Sequence, residues 1–297
     1  MSSHIDEKKI IENCDWSQFS LEQLKLLESK IGKAIALKRR ELKLTNTANT
    51  QIHWYKASLA KVFPSRLHRS LSEYEKCVFG ISLGNKNFAR SDRLEASIKW
   101  ISENFKTCIV LVCDSIYRLT IEVREGLKGN EGWSEAIRTG EKFVNENSFL
   151  FEQYSQSCRF EFRFASQIEK RSDFKSYYEE LQSLYRKNEP FQSLINSFAR
   201  TYLNRTEQVE KEQVDELGQK HLATTYLLEE SALFTCLAKE GWSVLVYPGS
   251  IKTFEEISEG LHPEVPLPLQ QTVWVSLRLK QKTAGSNENI EEKLQNR

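Results

Sequence analysis

The sequence predicts an α/β fold, Rossmann-like, with a mostly parallel sheet flanked by helices. Three observations carry that reading. Cys77 to Ile81 and Thr107 to Cys113 are short runs without a charge, as strands covered on both faces must be. Between them, Ser91 to Phe105 repeats Leu94, Ile98 and Ile101 at helical spacing, so the three segments form a βαβ unit with a right-handed crossover. Further on, Trp242 to Tyr247 (WSVLVY) is another apolar run, stopped by Pro248-Gly249.

At 297 residues and 39% hydrophobic content, the chain can bury a large core. Its organisation reads as a basic helical N-terminal extension packed on the core (1–70), a Rossmann-like domain (71–282) and a polar tail (283–297). Ser20-Leu21-Glu22-Gln23 has the form of a capping box, and a helix with Leu24, Leu27, Ile31 and Ile35 on one face follows to about Leu44. Its other face carries Lys25, Lys33, Arg39, Arg40 and Lys43. Net charge is +1 for the whole chain, yet Lys25 to Arg69 holds eleven Lys or Arg against Glu28 and Glu41. Such a stretch is either a solvated helix face or a phosphate-binding surface, continued by Lys56, Lys61, Arg66 and Arg69.

After TNTANT, a turn or linker, comes the strand that matters most. Lys76 to Ser82 (KCVFGIS) ends in a hydroxyl, with Leu83-Gly84-Asn85 supplying the turn. Side chains alternate along a strand, so Val78 and Gly80 share the face of Ser82, and Gly80 leaves space beside it. Helical segments follow around Trp133 to Tyr154, Asp173 to Lys187 and Phe191 to Tyr202, interrupted by an alternating strand, Arg159 to Phe164 (RFEFRF). A long helix, about Glu207 to Lys239, is stopped by Gly241, and Thr272 to Leu279 alternates as a final, half-exposed strand.

Several classes are excluded. No apolar run approaches the roughly 20 residues that span a bilayer, and the N-terminus is too polar for a secretory signal, which points to a soluble cytoplasmic protein. Six cysteines lie mostly in apolar runs with no C-x-x-C pair, so reduced thiols and no metal are expected. Neither G-x-G-x-x-G nor a P-loop is present, so neither NAD nor ATP, and no other cofactor, is expected.

Three constellations carry chemistry. Gly80 to Gly84 fits the G-x-S-x-G nucleophile elbow, which suggests a serine hydrolase, but the strands that should precede it and a well-placed acid and histidine after it are missing. On a helix, Tyr226, Glu230, Leu233 and Leu237 share one face, so a phenol and a carboxylate sit among apolar groups; the plainer alternative is a solvated Glu229-Glu230 pair beside a core tyrosine. Tyr247 stands at the end of a strand, where α/β sheets gather functional groups.

In this order and spacing, the three pieces resemble the cyclodipeptide synthases, over about Lys76 to Lys280. Gly80-Ile81-Ser82 matches the family's first motif, Tyr226 through Phe234 the second, and Tyr247 its late tyrosine; Tyr247-Pro248 resembles the Tyr-Pro subgroup. The resemblance implies a fold similar to class I aminoacyl-tRNA synthetase catalytic domains and a cyclic dipeptide made from two aminoacyl-tRNAs. The route would run through an aminoacyl-enzyme and a dipeptidyl-enzyme on Ser82. Tyr226 and Glu230 would hold the aminoacyl ammonium, Tyr247 would aid proton transfer, and Val78, Gly80 and Leu233 would line the first side-chain pocket. Asn85 is typical of the other subgroup. Lys76, Phe79 and Ala232 depart from the common motifs without removing a chemical group, and Phe174 falls loosely where some members have a pocket tyrosine. A basic helix that other members carry after the second strand is not matched by Gly132 to Glu152. Lys33, Lys38, Arg39, Arg40 and Lys43 are therefore expected to hold tRNA phosphates, the enzyme being a monomer that needs no metal and no membrane. The alternatives are the serine hydrolase and a tRNA-binding protein without activity.

Overall fold

The structure, a computed structural model, describes residues 15–24, 26–27, 30–31, 34, 53–206 and 216–283. The chain divides into two compact units, Met1–Asn49 and Thr50–Arg297. In the first, a 3-10 turn at Trp16–Gln18 leads into the capping box: Gln23 N donates to Ser20 Oγ at 3.2 Å and Ser20 N to Gln23 Oε1 at 2.9 Å. Lys33, Lys38, Arg39, Arg40 and Lys43 lie outside the described residues.

The second unit runs β1 (His53–Phe63), β2 (Lys76–Ile81), α1 (Lys86–Ala89), α2 (Ser91–Asn104), β3 (Thr107–Val112), α3 (Asp114–Glu125), α4 (Gly129–Glu152) and β4 (Arg159–Phe164). There follow α5 (Ala165–Ile168), α6 (Ser172–Lys187), α7 (Glu189–Thr206), α8 (Glu216–Lys239), β5 (Val244–Pro248), α9 (Lys252–Glu259), α10 (Leu267–Gln270) and β6 (Val273–Thr283). One sheet is formed, in the order β1-β6-β5-β2-β3-β4. It is parallel throughout except for β1, which lies antiparallel to β6 at one edge. The expected βαβ unit is β2-α2-β3, paired from Lys76↔Thr107 to Ile81↔Val112, and both strands are buried along nearly their whole length.

Strand β1 lies in the segment that the sequence assigns to an extension and reads as basic linker. Lys56 and Lys61 break the apolar pattern, but they are exposed, while Ala57 and Val62 point into the protein and are buried. An edge strand tolerates such cations. The sheet therefore begins at His53, and β6 runs to Thr283, four residues past the expected Leu279.

Helix α8 is the core of the molecule. Every residue from Tyr226 to Leu237 is buried, as an all-round apolar helix requires, and α3, α6 and α7 pack around it. On the other side of α3, α4 passes close enough that Gly140 faces the β3–α3 junction. A methyl group there would sit 2.7 Å from Asp114 Cβ and 3.4 Å from Val112 Cγ1. Asp114 has no room to yield, because its carboxylate accepts from Ser166 N at 2.9 Å and Ser166 Oγ at 2.6 Å. Gly140→Ala should thus destabilise the fold by about 1–3 kcal/mol, the usual cost of overpacking. Urea titration checks it, and an unchanged midpoint would mean that the two helices separate freely.

Candidate active site

The sheet order makes distant residues neighbours. β2 pairs with β5 through Val78↔Leu245 and Phe79↔Val246, so the carboxyl ends of both strands, carrying Ser82 and Tyr247, lie side by side. Beyond Ile81 the chain turns, with Asn85 N donating to Ser82 O at 3.0 Å. Asn85 then caps α1: its Oδ1 accepts from Asn87 N at 2.9 Å. That fixes the amide so that Nδ2 donates to the Tyr247 hydroxyl at 2.7 Å. The Tyr247 ring rests against Phe88 and Trp274, each with centroids 5.9 Å away.

Helix α8 supplies the opposite wall. The Ser82 Oγ and Tyr226 hydroxyl are 3.5 Å apart. The Tyr226 ring is held in an aromatic stack with Tyr202 at 5.3 Å and Phe198 at 6.3 Å. Burial, and then the neighbouring Glu230, push the Tyr226 phenol well above its ordinary pKa, so it remains a protonated hydrogen-bonding group. One turn on, Glu230 is 5% exposed and its Oε2 has no hydrogen-bond partner among the described residues. Burial alone raises its pKa to about 8.

Glu229 is also buried, so the solvated pair that the sequence leaves open is overturned. Its carboxylate accepts from Arg118 at 2.5 Å, and Arg118 donates to Ser115 O at 2.8 Å while lying 5.6 Å from the Trp133 ring centre. Nearby, Glu169 accepts from Ser115 Oγ at 2.5 Å and is raised to about 7, chiefly by burial. Nothing in the sequence announces this pairing: Arg118 and Glu229 are 111 residues apart, and Arg118 falls in no motif. Phe174 is buried and stacks on Tyr178 at 6.0 Å.

Val78 and Leu233 are wholly buried under the site. At Gly80 the space is bounded, since a Cβ there would lie 3.7 Å from Phe234 Cζ; it is one methyl deep rather than an open hollow. Among the described residues no histidine bonds to Ser82, whose hydroxyl meets the Tyr226 phenol. His262 is instead engaged by Glu264 at 3.3 Å and Glu256 at 3.4 Å, and His221 is exposed on α8.

Comparison with known proteins gives a family and a fold. The sequence model of the cyclodipeptide synthase family matches residues 61–268. Among solved structures, a cyclodipeptide synthase from Fluoribacter dumoffii is similar at 23% identity and TM-score 0.66, over 78% of this chain and 100% of that one. One from Candidatus Glomeribacter gigasporarum, bound to Phe-tRNAPhe, is similar at 18% identity and TM-score 0.56, over 72% and 91%. A Mycobacterium tuberculosis protein, described as demonstrating that cyclodipeptide synthetases are related to type I tRNA synthetases, is similar at 15% identity and TM-score 0.54, over 77% and 94%. At these identities the likeness shows the fold. No curated protein matches the chain.

The raised carboxyls have a consequence for stability. The folded pKa values of about 8 for Glu230 and about 7 for Glu169 stand above the ordinary 4.5, so the folded state keeps protons that the unfolded chain has released. Stability should therefore fall as pH rises from about 4.5 to about 8 and level off above. Glu230→Gln should flatten the upper part of that fall and make the protein more stable than wild type at pH 8.5. Denaturant titrations at pH 5.5, 7 and 8.5 test this; parallel pH profiles for the two proteins would show that Glu230 is not buried uncharged.

Proposed function

The chain belongs to the cyclodipeptide synthase family, and on that premise we propose that Ser82 carries the growing product through two covalent intermediates. The enzyme is a transferase that forms cyclic dipeptides from aminoacyl-tRNAs. In the proposed route, Ser82 Oγ attacks the ester carbonyl of the first aminoacyl-tRNA. The ester bond to the tRNA ribose breaks, the serine proton passes to the ribose oxygen, and an aminoacyl-enzyme remains. Because the tRNA ester is already activated, no ATP is needed.

The observation that carries the proposal is the unpartnered Glu230 carboxyl, one turn from a tyrosine in contact with Ser82. An α-ammonium group placed there gives the buried acid the partner it lacks, while Tyr226 orients the acyl group. Burial raises the Glu230 pKa toward that of an α-amino group, which favours passage of the ammonium proton to the carboxylate. The freed amine attacks the ester of the second aminoacyl-tRNA, which releases that tRNA and leaves a dipeptidyl-enzyme. The dipeptide's new amine then attacks the Ser82 ester; the C–Oγ bond breaks, the ring closes, and the amine proton returns to Oγ with help from Tyr247. This last step is intramolecular and gains from proximity.

We place the chain in the Tyr-Pro subgroup on Tyr247-Pro248, although Asn85, typical of the other subgroup, holds the Tyr247 hydroxyl. Val78, Gly80 and Leu233 form the first side-chain pocket in this reading. The Phe234 ring over Gly80 makes it shallow, which favours a small or apolar residue.

Expression in a bacterium should give diketopiperazines in the medium, detected by mass spectrometry, and Ser82→Ala should abolish them. Glu230→Gln should lower turnover by about 10²–10⁴-fold, the usual contribution of a positioned base. Tyr247→Phe should leave an acyl group on Ser82, seen as added intact mass. Ester hydrolysis without cyclic products would instead favour a hydrolase.

A further inference from the structure

We propose that Asn87, oriented by Arg93, is a positioning residue that ties the end of β5 to the turn after Ser82 and so sets where the Tyr247 hydroxyl stands for ring closure; this rests on the function proposed above. Three features of the fold lead to it. First, the ladder between β2 and β5 stops short of the site. It pairs Val78↔Leu245 and Phe79↔Val246 and goes no further, whereas Tyr247 and Pro248 pair on their other side with Ser276 and Leu277 of β6. β2 has β3 on one side and β5 on the other, so the strand order reverses here and a crevice opens at the carboxyl edge. Ser82 stands on one side of it and Tyr247 on the other, with no ladder pair to fix their separation.

Second, two side-chain amides bridge the crevice instead. Asn85 Nδ2 donates to the Tyr247 hydroxyl at 2.7 Å, and Asn87 Nδ2 donates to Pro248 O at 3.0 Å. The Asn85 amide is held by backbone, since its Oδ1 accepts from Asn87 N at 2.9 Å. The Asn87 amide holds the residue after the tyrosine by the one hydrogen-bonding group that a proline backbone has, its carbonyl. Asn87 therefore steadies one bridge through its N–H and forms the other with its side chain. Phe88, the next residue, is buried with the Tyr247 ring at 5.9 Å and the Phe79 ring at 5.6 Å, so the same short helix also supports the tyrosine ring from below.

Third, Arg93 decides which way the Asn87 amide points. An asparagine side chain presents an acceptor on one side and a donor on the other. Arg93 Nη1 donates to Asn87 Oδ1 at 2.9 Å, a charge-assisted bond, and that turns Nδ2 toward Pro248. Arg93 is aimed in its turn: Nη2 donates to the Tyr55 hydroxyl at 3.1 Å, and the guanidinium lies 4.7 Å from the Tyr55 ring centre. Its Nε is buried with no hydrogen-bond partner among the described residues, a cost that a purely stabilising arginine would avoid. In the last step of the proposed route the dipeptide amine attacks the Ser82 ester, the C–Oγ bond breaks and the amine proton reaches Oγ with help from Tyr247. That step needs the phenol at a fixed separation from Oγ, whereas the first acylation of Ser82 makes no use of Tyr247.

The test follows one round of synthesis by the full chain with aminoacylated tRNA, reading the intact mass of the enzyme and the cyclic product over time. Asn87→Ala removes the bridge to Pro248 and keeps the backbone N–H that holds Asn85. Asn87→Asp still accepts from Arg93 but has no donor for Pro248 O, so it separates bridging from folding. Both variants should load the first aminoacyl group onto Ser82 at the wild-type rate. They should release cyclic dipeptide about 10–100-fold more slowly, the cost of a misplacement of about 1 Å, and dipeptidyl-enzyme should accumulate. Arg93→Lys, which keeps a donor for Asn87 Oδ1, should recover most of the release rate that Arg93→Ala loses. Melting temperatures report folding, and partial unfolding would slow loading and release alike. Equal slowing of the two steps in both Asn87 variants, or wild-type release by Asn87→Asp, would overturn the inference alone. If the wild-type enzyme makes cyclic dipeptides without ever carrying mass on Ser82, or Ser82→Ala still makes them, the proposed route fails and takes the inference with it.

Discussion

A carboxyl buried without a partner is the constraint around which this protein is built. Placing an acid inside a helix whose flanking residues are all buried costs free energy unless the group is neutral or paired, and Glu230 is neither hydrogen-bonded at Oε2 nor near a cation that would lower its pKa. Glu229, the next residue, shows the ordinary solution, since it accepts from Arg118. Two adjacent glutamates thus receive opposite treatment from one helix. One is paired with a cation through a single oxygen, its Oε2 remaining without a partner, and the other has no cation beside it.

The rest of the site keeps that carboxyl in a useful place. Tyr226 is one turn before it, so the helix itself sets their spacing, and the stack with Tyr202 and Phe198 fixes the ring. Ser82 and Tyr247 are brought to the same edge by the pairing of β2 with β5, and Asn85 locks the second to the turn that follows the first. A preorganised site of this kind needs few moving parts.

Much of this was legible in the sequence because it is local. The apolar runs of β2, β3 and β5, the helix-stop at Gly241 and the spacing of Tyr226 with Glu230 are read from stretches shorter than ten residues. Where burial and register decide, reading fails. β1 looked like a basic linker because its lysines face outward and its inward residues, Ala57 and Val62, are too few to make a pattern. Glu229 looked like its neighbour until Arg118, from another helix, was seen beside it. The space at Gly80 looked open because the sequence does not say that the Phe234 ring closes over it.

A Rossmann-like sheet that lacks a phosphate loop still has to bring a large anion to its carboxyl edge. In nucleotide-binding relatives of this architecture, a glycine-rich turn and a helix N-terminus do so through backbone N–H groups at the strand end itself. Here that position is occupied by Leu83-Gly84-Asn85, and its capping amide is already committed to α1 and Tyr247. The turn that would cradle a phosphate elsewhere here ties the end of β2 to the Tyr247 hydroxyl instead, and the extra length of β6 lies at the sheet's antiparallel edge.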